Sequence, residues 1–140
     1  MGSIILVGHE TKAISALTEI ILQRFPQAHV RSIKPAKVLT TLLLEQVSLI
    51  VYVIERGKEA ELKVISEIRS VSDRTPLLIY GYLGQIHHDM VYLLDNGVHG
   101  LLSATASHSA HIAAIDALLR GVTYVDQAVK YQALINLLHP

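Results

Sequence analysis

Short apolar runs alternate along this chain with longer stretches of helical period, and that alternation leaves few folds open. Ser3-Ile4-Ile5-Leu6-Val7 and Leu49-Ile50-Val51-Tyr52-Val53 are continuous apolar runs of strand length. Such runs suit central strands buried on both faces. Three further runs, 28–33, 77–80 and 99–102, have strand length. The run 28–33 alternates more and carries Arg31, which places it at a sheet edge. Between the runs, apolar residues recur every three or four positions. The order βαβαβαβαβα predicts a parallel sheet with helices on both faces.

The helical stretches have readable limits. Thr11 is an N-cap candidate for a first helix carrying Ile14, Leu17, Ile20 and Ile21, with Pro26 after it. A second helix is expected over 35–45, and a third turns Leu62, Ile65 and Ile68 inward after the polar loop Glu55-Arg56-Gly57-Lys58-Glu59. The fourth, 86–95, stops at Asn96-Gly97, a pair suited to a left-handed turn. The fifth, 107–119, turns Ile112, Ile115, Leu118 and Leu119 to one face. A last short helix starts near the N-cap candidate Asp126 and runs to Leu138.

The 140 residues fit one domain. Its 12 basic and 12 acidic side chains cancel, so no global field draws this segment to nucleic acid or anionic lipid. The absence of cysteine excludes a disulfide scaffold and a Cys-based zinc site. No apolar run approaches the roughly 20 residues of a membrane span. Leu6 stands where a myristoylation signal after Gly2 wants Ser or Thr. A cytoplasmic protein is expected.

The element order fits an α/β, flavodoxin-like doubly wound fold with five parallel strands in the order 2-1-3-4-5 and a functional crevice at the carboxyl ends of the strands. Asn96-Gly97-Val98-His99-Gly100-Leu101-Leu102 is similar to the Gly-Ala-x-Gly-Tyr-Leu-x-Lys stretch of the CheY-like receiver domains of bacterial response regulators. Leu119-Arg120-Gly121-Val122-Thr123-Tyr124-Val125 resembles the ending of receivers in the NarL/FixJ (LuxR-type) branch. The resemblance runs along about the whole chain. It implies a receiver-like domain over 1–125, then a closing helix and the start of a linker over 126–140, leading to a helix-turn-helix domain absent from this segment.

The resemblance also shows what is missing. Val53 stands at the phosphoacceptor aspartate, Gly8 and His9 at the paired metal-binding acids, Gly81 at the hydroxyl and Ala104 at the lysine. Leu101 replaces the switching aromatic. Phosphoryl transfer needs an acceptor and a metal held by acids to neutralise the phosphoryl charge. The expectation is a pseudo-receiver: no enzyme, no metal and no cofactor, a regulatory and dimerisation module of a LuxR-type regulator that contacts DNA only through its missing C-terminal domain. A homodimer face is expected on the fourth and fifth helices, around Met90, Val91, Leu94, His108 and His111, with His88 and Ala114 nearby. The rival from another class is a small-molecule-sensing flavodoxin-like domain with its ligand above Val53 and Gly81; an unknown protein effector is a further partner.

Other signals read more simply as packing or surface. His9-Glu10 with Glu55, His87-His88-Asp89, and His108 with His111 suggest metal ligands, but none shows a convergent set. Tyr52, Tyr80 and Tyr82 are placed to flank a planar ligand, though strand tyrosines are more often packed. Gly8-His9-Glu10-Thr11 lacks the hydroxyl run of a flavin-phosphate loop, and Lys34, Lys37, Arg56, Lys58 and Lys63 are scattered.

Overall fold

A computed structural model of the chain describes residues 2–9, 11–55, 57–82 and 90–138. Strands β1 (Ser3–Val7), β2 (Val30–Ile33), β3 (Val47–Ile54), β4 (Leu77–Gly81), β5 (Gly100–Ser103) and β6 (Tyr124–Val125) alternate with helices α1 (Thr11–Arg24), α2 (Val38–Leu44), α3 (Leu62–Val71), α4 (Met90–Asp95), α5 (His108–Leu119) and α6 (Gln127–Leu138). Among the described residues the strands form one parallel sheet in the order β2-β1-β3-β4-β5-β6.

The sheet therefore has six strands where the sequence predicts five. Tyr124 and Val125 pair with Gly100 and Leu101. Two residues are too short to show a period, and pairing with β5 alone makes them a strand. The Tyr124 N–H donates to the His99 carbonyl (3.1 Å) and the Asp126 N–H to that of Leu101 (2.8 Å).

Side chains of successive strand residues point to opposite faces. Ile4 and Leu6 join Leu17, Ile21, Ile115 and Leu118 on the side of α1 and α5. Ile5 and Val7 join Val38, Val64, Ile68 and Leu93 on the side of α2, α3 and α4, and Val129 of α6 packs with this second group. The core strands are apolar throughout because both faces are covered. Each fully buried aliphatic side chain contributes about 1.5–3 kcal/mol.

Several helix limits differ from the sequence reading. Residues 35–37 form a 3-10 turn before α2. Helix α3 buries Val64, Ile65 and Ile68, while Leu62 is 46% exposed at its first position. Helix α1 begins at Thr11 itself, which leaves the capping position to a residue outside those described. The segment 86–89 of the fourth helix also lies outside them. Gly97, with φ +87°, makes the expected left-handed turn after α4. Ser107 caps α5 by accepting from the Ala110 N–H (3.1 Å). No helix among the described residues is long and apolar enough to cross a membrane.

His99 ties the start of β5 to β4. Its backbone N–H donates to the Leu77 carbonyl (2.9 Å), and its Nδ1 accepts the Leu77 N–H (3.2 Å). That bond requires an unprotonated nitrogen. Burial first, and the Arg69 guanidinium second, push the His99 pKa below its ordinary value. The unfolded chain therefore takes up this proton before the folded one does. Stability from His99 is complete above the ordinary histidine pKa and is lost as pH falls through that range. The melting temperature should drop more for the native protein than for His99→Asn, whose amide oxygen accepts near the Nδ1 position, between about pH 7.5 and about pH 5.5. Parallel acid slopes for the two proteins would refute this.

Candidate functional site

Parallel strands end on the same side, so the sheet gathers the loops after β1, β3, β4 and β5 at one edge. Register makes the gathering specific: Val7 pairs with Tyr52, Val53 with Tyr80, and Ile54 with Gly81, which itself pairs with Ser103. Gly8, Val53, Gly81 and Ala104 are thereby brought together. Gly8 donates to the Ile33 carbonyl (3.0 Å) and Ala104 to that of Gly81 (2.9 Å). His9 follows them on the exposed rim.

At this edge the backbone of β3 lies close to Gly8 and to Gly81. Val53 is 2% exposed and belongs to the core on the α1 and α5 side. A Cβ added to Gly8 would lie 2.7 Å from the Val53 carbonyl oxygen and 3.2 Å from its Cβ. A Cβ on Gly81 would lie 2.7 Å from the Ile54 carbonyl oxygen, and Gly81 has φ +150°. Both glycines let neighbouring backbone approach more closely than any other residue allows.

An open cavity of about 780 Å³ lies under the loop that follows β3, lined in part by Gly8, His9, Tyr52, Val53, Lys58 and Glu61. The Tyr52 hydroxyl accepts the Glu61 N–H (3.2 Å) and fastens this loop to the strand. Burial raises the Tyr52 pKa, so the hydroxyl stays protonated. A Mg²⁺ ion needs converging oxygen ligands. Among the described residues no three His, Asp or Glu side chains converge to hold a metal, and Gly8 and His9 supply no carboxylate. Among the described residues the donor set does not fit the ion that receiver chemistry implies. Glu10, His87, His88 and Asp89 lie outside the described residues.

The three tyrosines do not frame one ligand. Tyr52 and Tyr80 are buried on opposite faces of the sheet, and Tyr82 is 49% exposed. Tyr80 instead meets His111, ring edge to ring face at 5.4 Å, with its hydroxyl 2.9 Å from Nε2. The His111 Nδ1 lies 2.8 Å from the Ser107 carbonyl, which can only accept. Nδ1 therefore carries the ring proton, and Tyr80 donates to Nε2. Burial pushes the Tyr80 pKa up to about 12, which keeps the donor in place.

This bond accounts for the burial of one residue of the expected association face. His111 is 3% exposed and Ala114 fully buried, so neither offers surface. Met90 packs partly against the core and Leu94 is half-buried. Val91 (65%) and His108 are the exposed members. Leu101 is fully buried in β5, toward α3 and α4.

One residue near the crevice does more than the sequence reading assigned to it. Asp126 caps α6, its Oδ1 accepting the Ala128 N–H (2.9 Å), as expected. Its Oδ2 also accepts the Ser103 N–H (2.9 Å), at the end of β5. No sequence signal marks that second bond, which spans 23 residues.

No family model matches the chain, and no curated protein does. Solved structures do. A two-component response regulator of the LuxR family from Aurantimonas sp. SI85-9A1 superposes with TM-score 0.82 at 14% identity, over 99% of each chain. A LuxR family DNA-binding response regulator from Silicibacter pomeroyi gives 0.71 at 15% identity, over 91% of this chain and 98% of that one. The isolated receiver domain of RcsB from Salmonella enterica serovar Typhimurium, solved with the phosphomimetic BeF3⁻, gives 0.76 at 10% identity, over 93% and 96%. Together with the sheet order and the crevice at the strand ends, these similarities establish that this chain has the CheY-like receiver fold that those response regulators share.

Proposed function

We propose that the chain is a phosphorylation-independent receiver domain, the regulatory and dimerisation module of a cytoplasmic LuxR-type transcriptional regulator that reaches DNA through a C-terminal domain outside this segment. The observation that carries this reading is the contact of Gly8 and Gly81 with the backbone of β3 on either side of a buried Val53. Acceptor, metal ligands and hydroxyl are missing, and at Gly8 and Gly81 an added Cβ would meet the main chain of β3. A domain so altered acts through contacts, and it is no enzyme. The DNA-binding regulator from Silicibacter pomeroyi, which shares its fold, supports the assignment to a transcription factor.

Incubation with acetyl phosphate and Mg²⁺ should leave the intact mass unchanged. A phosphoryl adduct mapping to the ends of β1, β3 or β4 would overturn the reading.

The cavity favours a second reading, a small-molecule sensor. Its volume of about 780 Å³ lies within the roughly 300–1,000 Å³ of ligand sites, and among the described residues Glu55, Glu59, Glu61 and Lys58 line it. Metabolite-induced changes in the magnetic resonances of these residues would favour the sensor.

A further inference from the structure

A second, smaller cavity of about 280 Å³ opens between the carboxyl ends of β1 and β2, lined in part by Gly8, His9, Ser15, Ser32 and Lys34. Among the described residues no carboxylate lines it. The charge around it is one-sided, although the chain as a whole is neutral. From Ile20 to Leu44 the sequence carries Arg24, Arg31, Lys34 and Lys37 and no aspartate or glutamate. Arg24 pairs with Asp116 (3.6 Å) and Arg31 with Glu45. Among the described residues Lys34 and Lys37 pair with no carboxylate, and the Ser15 and Ser32 hydroxyls have no hydrogen-bond partner in the protein. An unmatched cation and two free hydroxyls therefore border one concave space.

We propose that this cavity holds the phosphate group of a small phosphate monoester, with the rest of the molecule in the larger cavity. The inference rests on the small-molecule sensor reading and names its ligand class. The Lys34 ammonium, the two serine hydroxyls and the His9 imidazole all donate hydrogen bonds, and the three terminal oxygens of a phosphate monoester accept more of them than the two of a carboxylate. The volume lies just under the roughly 300 Å³ at which ligand sites begin, so it suits a phosphate group and not a whole metabolite. Gly8 and His9 line both cavities, which therefore adjoin. One cavity lies at the gap between β2 and β1, the other at the gap between β1 and β3, and adjacent strands are about 4.8 Å apart. A few bonds span that distance. In the larger cavity Glu55, Glu59 and Glu61 accept hydrogen bonds, which favours a body bearing an ammonium group. Binding of this kind is reversible and needs neither an acceptor aspartate nor a metal.

Magnetic resonance titration of the 140-residue chain with inorganic phosphate, phosphoethanolamine and acetate tests the site. Inorganic phosphate should shift the amide resonances of Gly8, Ser32 and Lys34, with a dissociation constant on the order of 1 mM for so open a site. Phosphoethanolamine should shift those of Tyr52, Glu55 and Glu61 as well, and acetate should bind several-fold more weakly than either. Lys34→Ala should weaken both phosphates about tenfold, and Ser32→Ala about threefold. Lys63→Ala, which removes the same charge outside both cavities, should change them less than about twofold. Glu55→Gln combined with Glu61→Gln should weaken phosphoethanolamine and leave inorganic phosphate unchanged; the Glu61 N–H that bonds Tyr52 is retained. These side chains are exposed or half-buried, so the variants keep the core intact. Silence toward inorganic phosphate, shifts that Lys34→Ala leaves unchanged, or shifts that Lys63→Ala reduces equally would overturn the site. Phosphoethanolamine shifts confined to Gly8, Ser32 and Lys34 would overturn the shared ligand. In each of these cases the sensor reading stands if another metabolite shifts Tyr52, Glu55 and Glu61, and it falls only if the larger cavity stays silent toward metabolites too.

Discussion

Val53→Asp should destabilise the protein by about 3–5 kcal/mol and restore no phosphoryl transfer. Val53 is 2% exposed and packs in the core on the α1 and α5 side, so the new carboxylate would enter an apolar contact. Domains of this size are stable by about 5–15 kcal/mol, so the loss would be a large share of the total. The dependence on pH gives the substitution a signature. Burial raises the carboxyl pKa in the folded state, so the folded chain holds a proton that the unfolded chain releases. The deficit relative to the native protein is therefore largest at neutral pH and shrinks as pH falls toward about 4, the ordinary aspartate value. Urea denaturation of both proteins at several pH values measures it. A midpoint shift near zero, or one independent of pH, would contradict the buried geometry.

Gly81→Thr, which returns the family's hydroxyl, should cost about 3 kcal/mol or more. Two effects combine. With φ +150° the backbone sits where a β-branched residue is strained, and the new Cβ would meet the Ile54 carbonyl oxygen at 2.7 Å. That oxygen belongs to the main chain of a central strand and has little freedom to retreat. Thermal denaturation of Gly81→Thr beside Gly81→Ala separates the effects, since alanine suffers the contact but less of the rotamer restriction. Native-like stability in both would mean that the strand ends relax easily, and the crevice could then be rebuilt side chain by side chain. Gly8→Asp meets the same obstacle at the Val53 carbonyl.

Much of this architecture can be read from the sequence, because central strands buried on both faces are continuous apolar runs. β1 matches its reading residue for residue, and β3 and β4 extend one or two residues beyond theirs. The gathering of Gly8, Val53, Gly81 and Ala104 at one edge was also legible, since parallel strands end on the same side. What escaped depends on partners distant in the chain. β6 is a strand only because β5 lies beside it. His111 looked like surface because α5 is apolar on most sides and its period does not say which side faces in; Tyr80, 31 residues away, satisfies its buried ring. The closeness of Gly8 and Gly81 to β3 likewise belongs to the register, not to either glycine. Leu62 shows the reverse case, an apolar residue at helical spacing that the first turn of α3 leaves half in solvent.

The Asp126 carboxylate holds the last residue of β5 with one oxygen and the first turn of α6 with the other. It therefore works as a pivot, and the helix beyond it as an arm. Twelve residues at 1.5 Å each give an arm of about 18 Å, so a tilt of about 10° at Asp126 carries the far end through about 3 Å. A small shift of Ser103 at the crevice rim would thus be magnified at the last turn of α6.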